Sequence, residues 1–191
     1  MATRPTQTVF GIALRGETAA RPRQAPGRQE FGRAFLAWYN AGEPKGAEEL
    51  SMIQGEKTRL RALEHGDLSH FVQWVNEPEV RGFIALRYPL SMTEEEGWWR
   101  NFLASKNNHV YAIEAKDGTY IGNIGLHDAE PENRRAMLGI IIGDQVYWGK
   151  GYGCDAIRAM LRWAFGYLNL HRIYLPVYAY NKRAIRCYEK C

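Results

Sequence analysis

The chain has 191 residues, of which 46% are hydrophobic and 24% charged, with a net charge of +4. This length fits one ordinary globular domain, and the lysines and arginines are interleaved with acids, which favours a mixed solvated surface over a nucleic-acid-binding face. No apolar stretch reaches the ~18 residues of a membrane span and no secretory signal is visible, so we expect a cytoplasmic protein without a membrane partner.

The first part of the chain differs in composition from the rest. Residues 1–51 are polar and rich in proline, glycine and arginine. Such composition is typical of segments that bury too little apolar surface to fold. We therefore predict that residues 1–51 are disordered or a non-native extension, with a short amphipathic helix at 31–39 as an option, and that residues 52–191 form the domain.

One strand and two helices are predicted next. Leu60 and Ala62 alternate with arginines from Thr58 onward, which indicates a strand. Asp67 is placed to cap a first helix with an apolar face. Ser91 and Glu94 have the spacing of a capping box and predict the start of a second helix. The apolar face of the first helix is Leu68, Phe71, Val72 and Val75.

The second half of the domain reads as a meander followed by a strand between two helices. Residues 109–115, 119–127 and 135–143 are strand-like runs joined by turn sequences. Residues 153–170 have helical periodicity, 172–180 form a strand, and a last helix follows Asn181. The predicted fold is α/β, with a mixed, mostly antiparallel sheet and helices on both faces.

The junction between the third meander strand and the long helix carries a glycine-rich loop. Alternate glycines at 149, 151 and 153 directly precede the helix. Loop amides and first-turn helix amides lack internal partners, so together they can bind a diphosphate, with Lys150 adding positive charge. A tight turn without a ligand is the competing interpretation.

Two other phosphate-binding motifs match less well. Five residues separate Gly143 from the next glycine, where a P-loop needs four, and Gly151 replaces the hydroxyl that binds magnesium. A dinucleotide fingerprint is matched by Gly151, Gly153 and Ala156. However, no acid for a ribose occurs at 171–181, and antiparallel hairpins precede the loop.

The loop resembles the acetyl-CoA motif of the GNAT acetyltransferase superfamily, Gln/Arg-x-x-Gly-x-Gly/Ala. Here it is Tyr-Trp-Gly-Lys-Gly-Tyr-Gly at 147–153, after Gly-Ile-Ile-Ile-Gly at 139–143. Trp148 replaces the polar residue, as in the branch of ribosomal-protein alanine and spermidine acetyltransferases. A second motif at 181–190 is similar to the family's Asn-x-x-Ala-x-x-x-Tyr helix. The resemblance covers about residues 56–191.

The resemblance implies acetyl-CoA as cosubstrate and no metal. Tyr188 matches the general acid that protonates the departing thiolate after direct attack by an amine in a ternary complex. Asn181 would cap its helix and touch the cofactor, and Pro176 would suit a strand that splays from its neighbour, or an ordinary edge or bulge. The expected cofactor-binding residues are Ile141, Ile142, Gly143, Trp148, Gly149, Lys150, Gly151, Tyr152, Gly153, Cys154 and Asn181.

The general base is not assigned by the resemblance. Family members of this branch frequently have an acid where this chain has Met137. His127 and Asp128 end the preceding strand and are the available candidates, with a solvated turn as the competing interpretation of both.

The resemblance also implies one wall of an acceptor site at residues 80–90. Lining candidates there are Arg81, Phe83, Arg87 and Tyr88. Family members continue with two further strands where this chain ends. We therefore expect the C-terminal strands to be missing, with weaker stability and little or no turnover.

The cysteines and the acceptor complete the predictions. Cys154, Cys187 and Cys191 are an odd number without metal-ligand spacing, so we expect reduced thiols. The predicted function is transfer of acetyl from acetyl-CoA to a small amine, a polyamine or a protein N-terminus. The competing functions are a catalytically silent acyl-CoA-binding module and, less favoured, a dinucleotide-binding oxidoreductase. The oligomeric state stays open, with a homodimer as one option.

Overall fold

The computed structural model describes residues 14–15, 53–130 and 132–191. The strands are β1 Leu14–Arg15, β2 Ile53–Gln54, β3 Thr58–Ala62, β4 His109–Ala115, β5 Tyr120–Glu130, β6 Arg135–Ile142 and β7 Arg172–Tyr174. The α-helices are α1 Leu68–Asn76, α2 Pro78–Arg81, α3 Met92–Ala104, α4 Tyr152–Gly166 and α5 Lys182–Tyr188. The helix proposed at 31–39 lies outside the described residues.

The strands form one sheet in the order β1-β7-β6-β5-β4-β3-β2. All neighbours are antiparallel except β6 and β7, which are parallel and are connected through α4. The predicted meander of β4, β5 and β6 and the mixed, mostly antiparallel sheet are confirmed. Within residues 1–51, the backbone of Leu14–Arg15 pairs with the outer edge of β7.

Apolar clusters cover both faces of the sheet. Ile113 belongs to the larger cluster, which includes Met160 of α4, while Ala112 belongs to a smaller one that packs against Trp99 and Phe102 of α3. Adjacent strand residues point to opposite faces, so the two helices lie on opposite sides, as predicted. Among the described residues, no helix combines the length and apolar character needed to cross a bilayer.

The two helix starts predicted in the first half differ in outcome. Ser91 and Glu94 form the predicted capping box, with both reciprocal hydrogen bonds present. Asp67 precedes α1 but does not cap it. Its carboxylate instead accepts from the amide of Glu64 at 2.8 Å and from the guanidinium of Arg61, because a 3-10 turn at His65–Asp67 comes between strand and helix.

The strand predicted at 172–180 is shorter than expected, and this shapes the site. Pairing between β6 and β7 ends at Met137 and Tyr174. Pro176 follows two residues later and has no amide to donate to a ladder, so the chain leaves the sheet there. The helix predicted at 153–170 also ends early, at Gly166. Because β7 ends at Tyr174, no strand among the described residues pairs with the edge of β6 beyond Met137.

Candidate active site

A cavity of about 610 Å³ occupies the opening between β6 and the chain that follows β7. Residues 138–142 of β6 form one side, and residues 176–178 form the other. Residues from the start of α4 and from one face of α5 also line it. A split sheet beside a helix N-terminus can bind an extended ligand along the free strand edge and an anion at the helix.

The glycine loop has the backbone that such a site requires. Gly149 and Gly151 have φ values of 71° and 89°, in the left-handed region where glycine carries no steric penalty. The amide of Asp155 donates to the carbonyl of Gly151 at 3.0 Å and begins the internal bonding of α4. The amides before it, at 152–154, therefore have no partner inside the helix and are free to bind an anion.

Most of the predicted cofactor-binding residues come together in this cavity. Those that line it are Ile141, Ile142, Trp148, Gly149, Gly151, Tyr152, Gly153, Cys154 and Asn181, together with Tyr188.

Gly143 and Lys150 are predicted members of the site that do not line the cavity. A Cβ on Gly143 would lie 2.1 Å from the ring of Trp74, so this glycine allows the indole to pack against the strand. Lys150 is exposed at the rim. Its carbonyl accepts a hydrogen bond from Nζ of Lys57 at 3.0 Å, which brings a second lysine to the loop that the sequence did not reveal.

Trp148 blocks part of the free strand edge. Its indole nitrogen donates to the carbonyl of Ile142 at 2.7 Å. That carbonyl is therefore engaged, while residues 138–141 keep their outer edge toward the cavity.

Every charged side chain that lines the described cavity is a cation. These are Arg183, Arg186 and Lys190 of the C-terminal helix and its end, and no carboxylate faces them. Arg183 packs its guanidinium on the face of Trp148. Arg183 was not predictable from the sequence, because it occupies a variable position of the second motif.

The C-terminal helix positions the two residues that its motif singled out. Oδ1 of the buried Asn181 accepts from the amide of Ala184 at 3.1 Å and caps α5. Tyr188 lies at the other end of α5 from Asn181 and lines the cavity. Burial raises the pKa of its phenol to about 12. The phenol therefore keeps its proton throughout the neutral range, as a proton donor must.

The structure separates the two candidates for the general base. His127 lines the cavity and pairs across the sheet with Met137. A Cβ on Gly139 would lie 3.0 Å from its Nε2, so the neighbouring glycine makes room for the imidazole. Burial lowers the pKa of His127, more than Asp128 raises it, which favours the neutral, proton-accepting form. The solvated-turn interpretation is wrong for His127, whereas Asp128 is exposed.

The predicted acceptor wall lines the cavity only in part. Val80, Phe83, Ile84 and Ala85 face it, whereas Arg81, Arg87 and Tyr88 do not. The hydroxyl of Tyr180 donates to the carbonyl of Gly82 at 2.7 Å and holds this wall to the chain after β7.

The expectation of three free thiols is wrong for two of them. The sulfurs of Cys154 and Cys187 are joined as a disulfide, with their Cα atoms 5.5 Å apart. The Sγ of Cys191 lies 3.2 Å from the carbonyl of Cys187. This pairing was not predictable from the sequence, because the two cysteines are 33 residues apart and meet only when α5 packs on α4.

The fold and cavity define a class of protein that binds an extended, anionic cofactor in a split sheet. Residues 57–191 match the family described as "Acetyltransferase (GNAT) domain". Spermidine N(1)-acetyltransferase of Vibrio cholerae is 30% identical over 132 residues, covering 69% of this chain and 76% of the relative.

Solved structures show the same similarity. Spermidine N-acetyltransferase from Vibrio cholerae in complex with CoA and spermine has a TM-score of 0.66 at 30% identity, covering 71% of this chain and 79% of that one. A dodecameric structure of that enzyme has a TM-score of 0.60 at 31% identity, covering 71% and 78%. The chain belongs to the GNAT acetyltransferase family. It is an N-acetyltransferase, and acetyl-CoA is its cosubstrate.

Proposed function

We propose that this chain transfers acetyl from acetyl-CoA to a primary aliphatic amine by direct attack in a ternary complex. The observation that carries the proposal is that the phenol of Tyr188 and the imidazole of His127 line the same cavity as the helix N-terminus. The raised pKa of the phenol and the lowered pKa of the imidazole suit a proton donor and a proton acceptor. Proton donor, proton acceptor and anion site are the three parts that acetyl transfer from a thioester requires.

The cofactor is proposed to lie along the free edge of β6. Its diphosphate would meet the amides at 152–154 and the positive field of the helix, with Lys57 and Lys150 at the rim. Its pantetheine would follow residues 138–141, where amide and carbonyl groups lack a neighbouring strand. This orientation directs the thioester toward α5.

The chemical step then has a role for each residue. The amine nitrogen forms a bond to the thioester carbonyl carbon, and the carbon–sulfur bond breaks as the intermediate collapses. His127 accepts the proton that the amine loses, directly or through water. Tyr188 donates its proton to the departing thiolate, so the products are the acetamide and free CoA.

The relatives and the charge of the cavity point to different features of the amine acceptor. Relatives named spermidine N(1)-acetyltransferase support a polyamine. The cavity, however, is lined by cations and by no described carboxylate, so no described side chain there offers negative charge to a second ammonium group. We expect kcat/KM for spermidine and for a monoamine of similar length to agree within about tenfold. A larger preference for spermidine would place its recognition outside the described cavity.

Self-association is also proposed, because a solved relative is described as dodecameric. Light scattering coupled to size exclusion measures it directly. A monomer at every concentration would contradict this part of the proposal.

The direct test of the mechanism is Tyr188→Phe, assayed by thiol release with an excess of amine. Loss of a general acid is expected to lower kcat by ~10²–10⁴-fold while CoA affinity stays within twofold. Tyr167→Phe is the matched control, because Tyr167 is 81% exposed and outside the cavity. A Tyr188→Phe rate within twofold of wild type would reject the general acid. Binding of acetyl-CoA without turnover of any amine by wild type would favour the silent module instead.

A further inference from the structure

Three cysteine sulfurs meet at the contact between α4 and α5. Cys154 is in the first turn of α4, and Cys187 and Cys191 are one helical turn apart at the end of the chain. Each Sγ lies within 4.8 Å of the other two. The chain has three cysteines in all, and all three are in this cluster.

A disulfide accounts for two of these sulfurs and gives no role to the third. When a dithiol reductant supplies two electrons and two protons to the Cys154–Cys187 bond, three thiols face one point. Thiolates bind zinc at about 2.3 Å, which places tetrahedral ligand sulfurs about 3.8 Å from each other. The two bonded sulfurs separate on reduction, and no pair in this cluster starts more than 4.8 Å apart, about 1 Å beyond that spacing.

The surroundings favour a thiolate-bound cation. All three cysteines are half-buried, which limits competition from water. The guanidinium of Arg158 donates to the carbonyl of Lys190 at 2.8 Å and brings positive charge beside Cys191. That charge offsets the net negative charge left when three thiolates bind a divalent ion. No histidine or carboxylate joins the described cluster, so the ligands are all soft.

We propose that the reduced protein binds one soft, thiophilic metal ion through Cys154, Cys187 and Cys191. Each thiol loses its proton to solvent as the metal–sulfur bond forms. The ion would join the first turn of α4, which lines the cavity, to the end of α5, which carries Tyr188. Cys154 and Cys187 also line the cavity, but the metal takes no part in the proton transfers of acetyl transfer, and the proposal does not depend on the proposed function.

Cadmium is a suitable probe, because its bonds to thiolates give an ultraviolet charge-transfer band. The full chain is reduced, freed of reductant without oxygen, and titrated with cadmium against a chelator of known affinity. We expect saturation at one ion per chain. Cys154→Ser, Cys187→Ser and Cys191→Ser should each weaken binding by at least the ~10–100-fold that loss of an outer-shell partner costs. His171→Ala is a control, because His171 is exposed and outside the cluster.

Three results would overturn the proposal. The first is no charge-transfer band in the reduced wild type. The second is an affinity that is unchanged in Cys191→Ser, because two thiols would then be sufficient. The third is a mass that stays two hydrogens low under reductant, because the disulfide would then persist and the three-thiol state would not form. As a further control, alkylation of the reduced thiols before the cadmium titration should abolish the charge-transfer band.

Discussion

The guanidinium carbon of Arg183 lies 3.7 Å from the centroid of the Trp148 ring and 5.3 Å from that of Phe83. Arg183 is exposed overall, but contact with the rings takes its charge partly out of water and lowers its pKa. No described residue supplies it with an anion. A stacked cation without a partner at the mouth of an anion site is an expected ligand for the cofactor.

Replacement of Arg183 should therefore weaken cofactor binding. We expect Arg183→Ala to raise the Kd for CoA about tenfold, the lower range for a charge-assisted hydrogen bond, because the residue stays partly exposed. Arg183→Lys should recover only part of this, since lysine lacks the planar fork that stacks. Calorimetry with CoA and with dephospho-CoA, which lacks the ribose phosphate, shows whether Arg183 binds the diphosphate or the ribose phosphate. Arg172→Ala, outside the cavity, is the control, and equal affinities for all variants would contradict the assignment.

Two glycines of the loop should separate folding from binding. Gly151 has a φ of 89°, so Gly151→Ala is expected to lower the free energy of unfolding by about 1–2 kcal/mol and to weaken CoA binding. At Gly153 a Cβ would meet only Cγ1 of Ile142, at 3.7 Å, and φ is not positive. Gly153→Ala should keep full stability but lose affinity, because a methyl group would occupy the approach to the helix amides. Denaturant unfolding and calorimetry on both variants check this. Unchanged CoA affinity in Gly153→Ala would contradict cofactor binding by the main-chain amides of the loop.

The acid side of the pH profile should report His127. Its pKa is lowered below 6.5, so the imidazole is neutral and able to accept a proton above that pH. As pH falls through the lowered pKa, the base becomes protonated and kcat/KM should fall. His127→Gln is expected to lower kcat by ~10²–10⁴-fold and to remove this limb, whereas Tyr188→Phe should keep it. An unchanged acid limb in His127→Gln would assign the base elsewhere, with the ionisation of the amine as the remaining cause.

How much the sequence could predict depends on whether the signal is local. The capping box at Ser91 and the cap at Asn181 were predicted because each involves residues three positions apart. The glycine loop was predictable because positive φ values, such as those of Gly149 and Gly151, favour glycine. Pro176 marked the place where β7 leaves the sheet, although the strand was drawn six residues too long at 172–180.

Relationships across the sheet were not predictable in this way. His127 reaches the cavity because Gly139 lies on the neighbouring strand, and no spacing along the chain reveals that pairing. Lys57 and Arg183 approach the loop from opposite ends of the domain. Similarly, Cys154 and Cys187 meet only through the packing of two helices.

The last prediction concerns Asp155, which holds the start of α4 to the sheet. Its buried carboxylate accepts from the amides of Glu56 and Lys57 at 2.9 Å, and from the amide and hydroxyl of Thr58 at 2.8 and 2.7 Å. A Cβ on Gly55 would lie 2.2 Å from Oδ2, so the turn closes tightly around the carboxylate. Burial alone would raise the pKa of Asp155, but the hydrogen bonds from Thr58 and the amides outweigh burial and lower it below 3.8.

A lowered folded-state pKa means that the ionised carboxylate stabilises the fold above the unfolded value, near 3.8, and that this stability is lost as pH falls through the folded value. Asp155→Asn should lower the free energy of unfolding at neutral pH by about 2–3 kcal/mol, because an amide group would face donors with a donor of its own. Thr58→Val removes one donor and should cost about 1 kcal/mol. Urea unfolding over a pH series measures both, and the gap between wild type and Asp155→Asn should narrow below 3.8. A gap that stays constant to the lowest pH would show that the loss of stability comes from the shape of the side chain rather than from its charge. Equal stability of wild type and Asp155→Asn at neutral pH would show that Asp155 does not stabilise the junction.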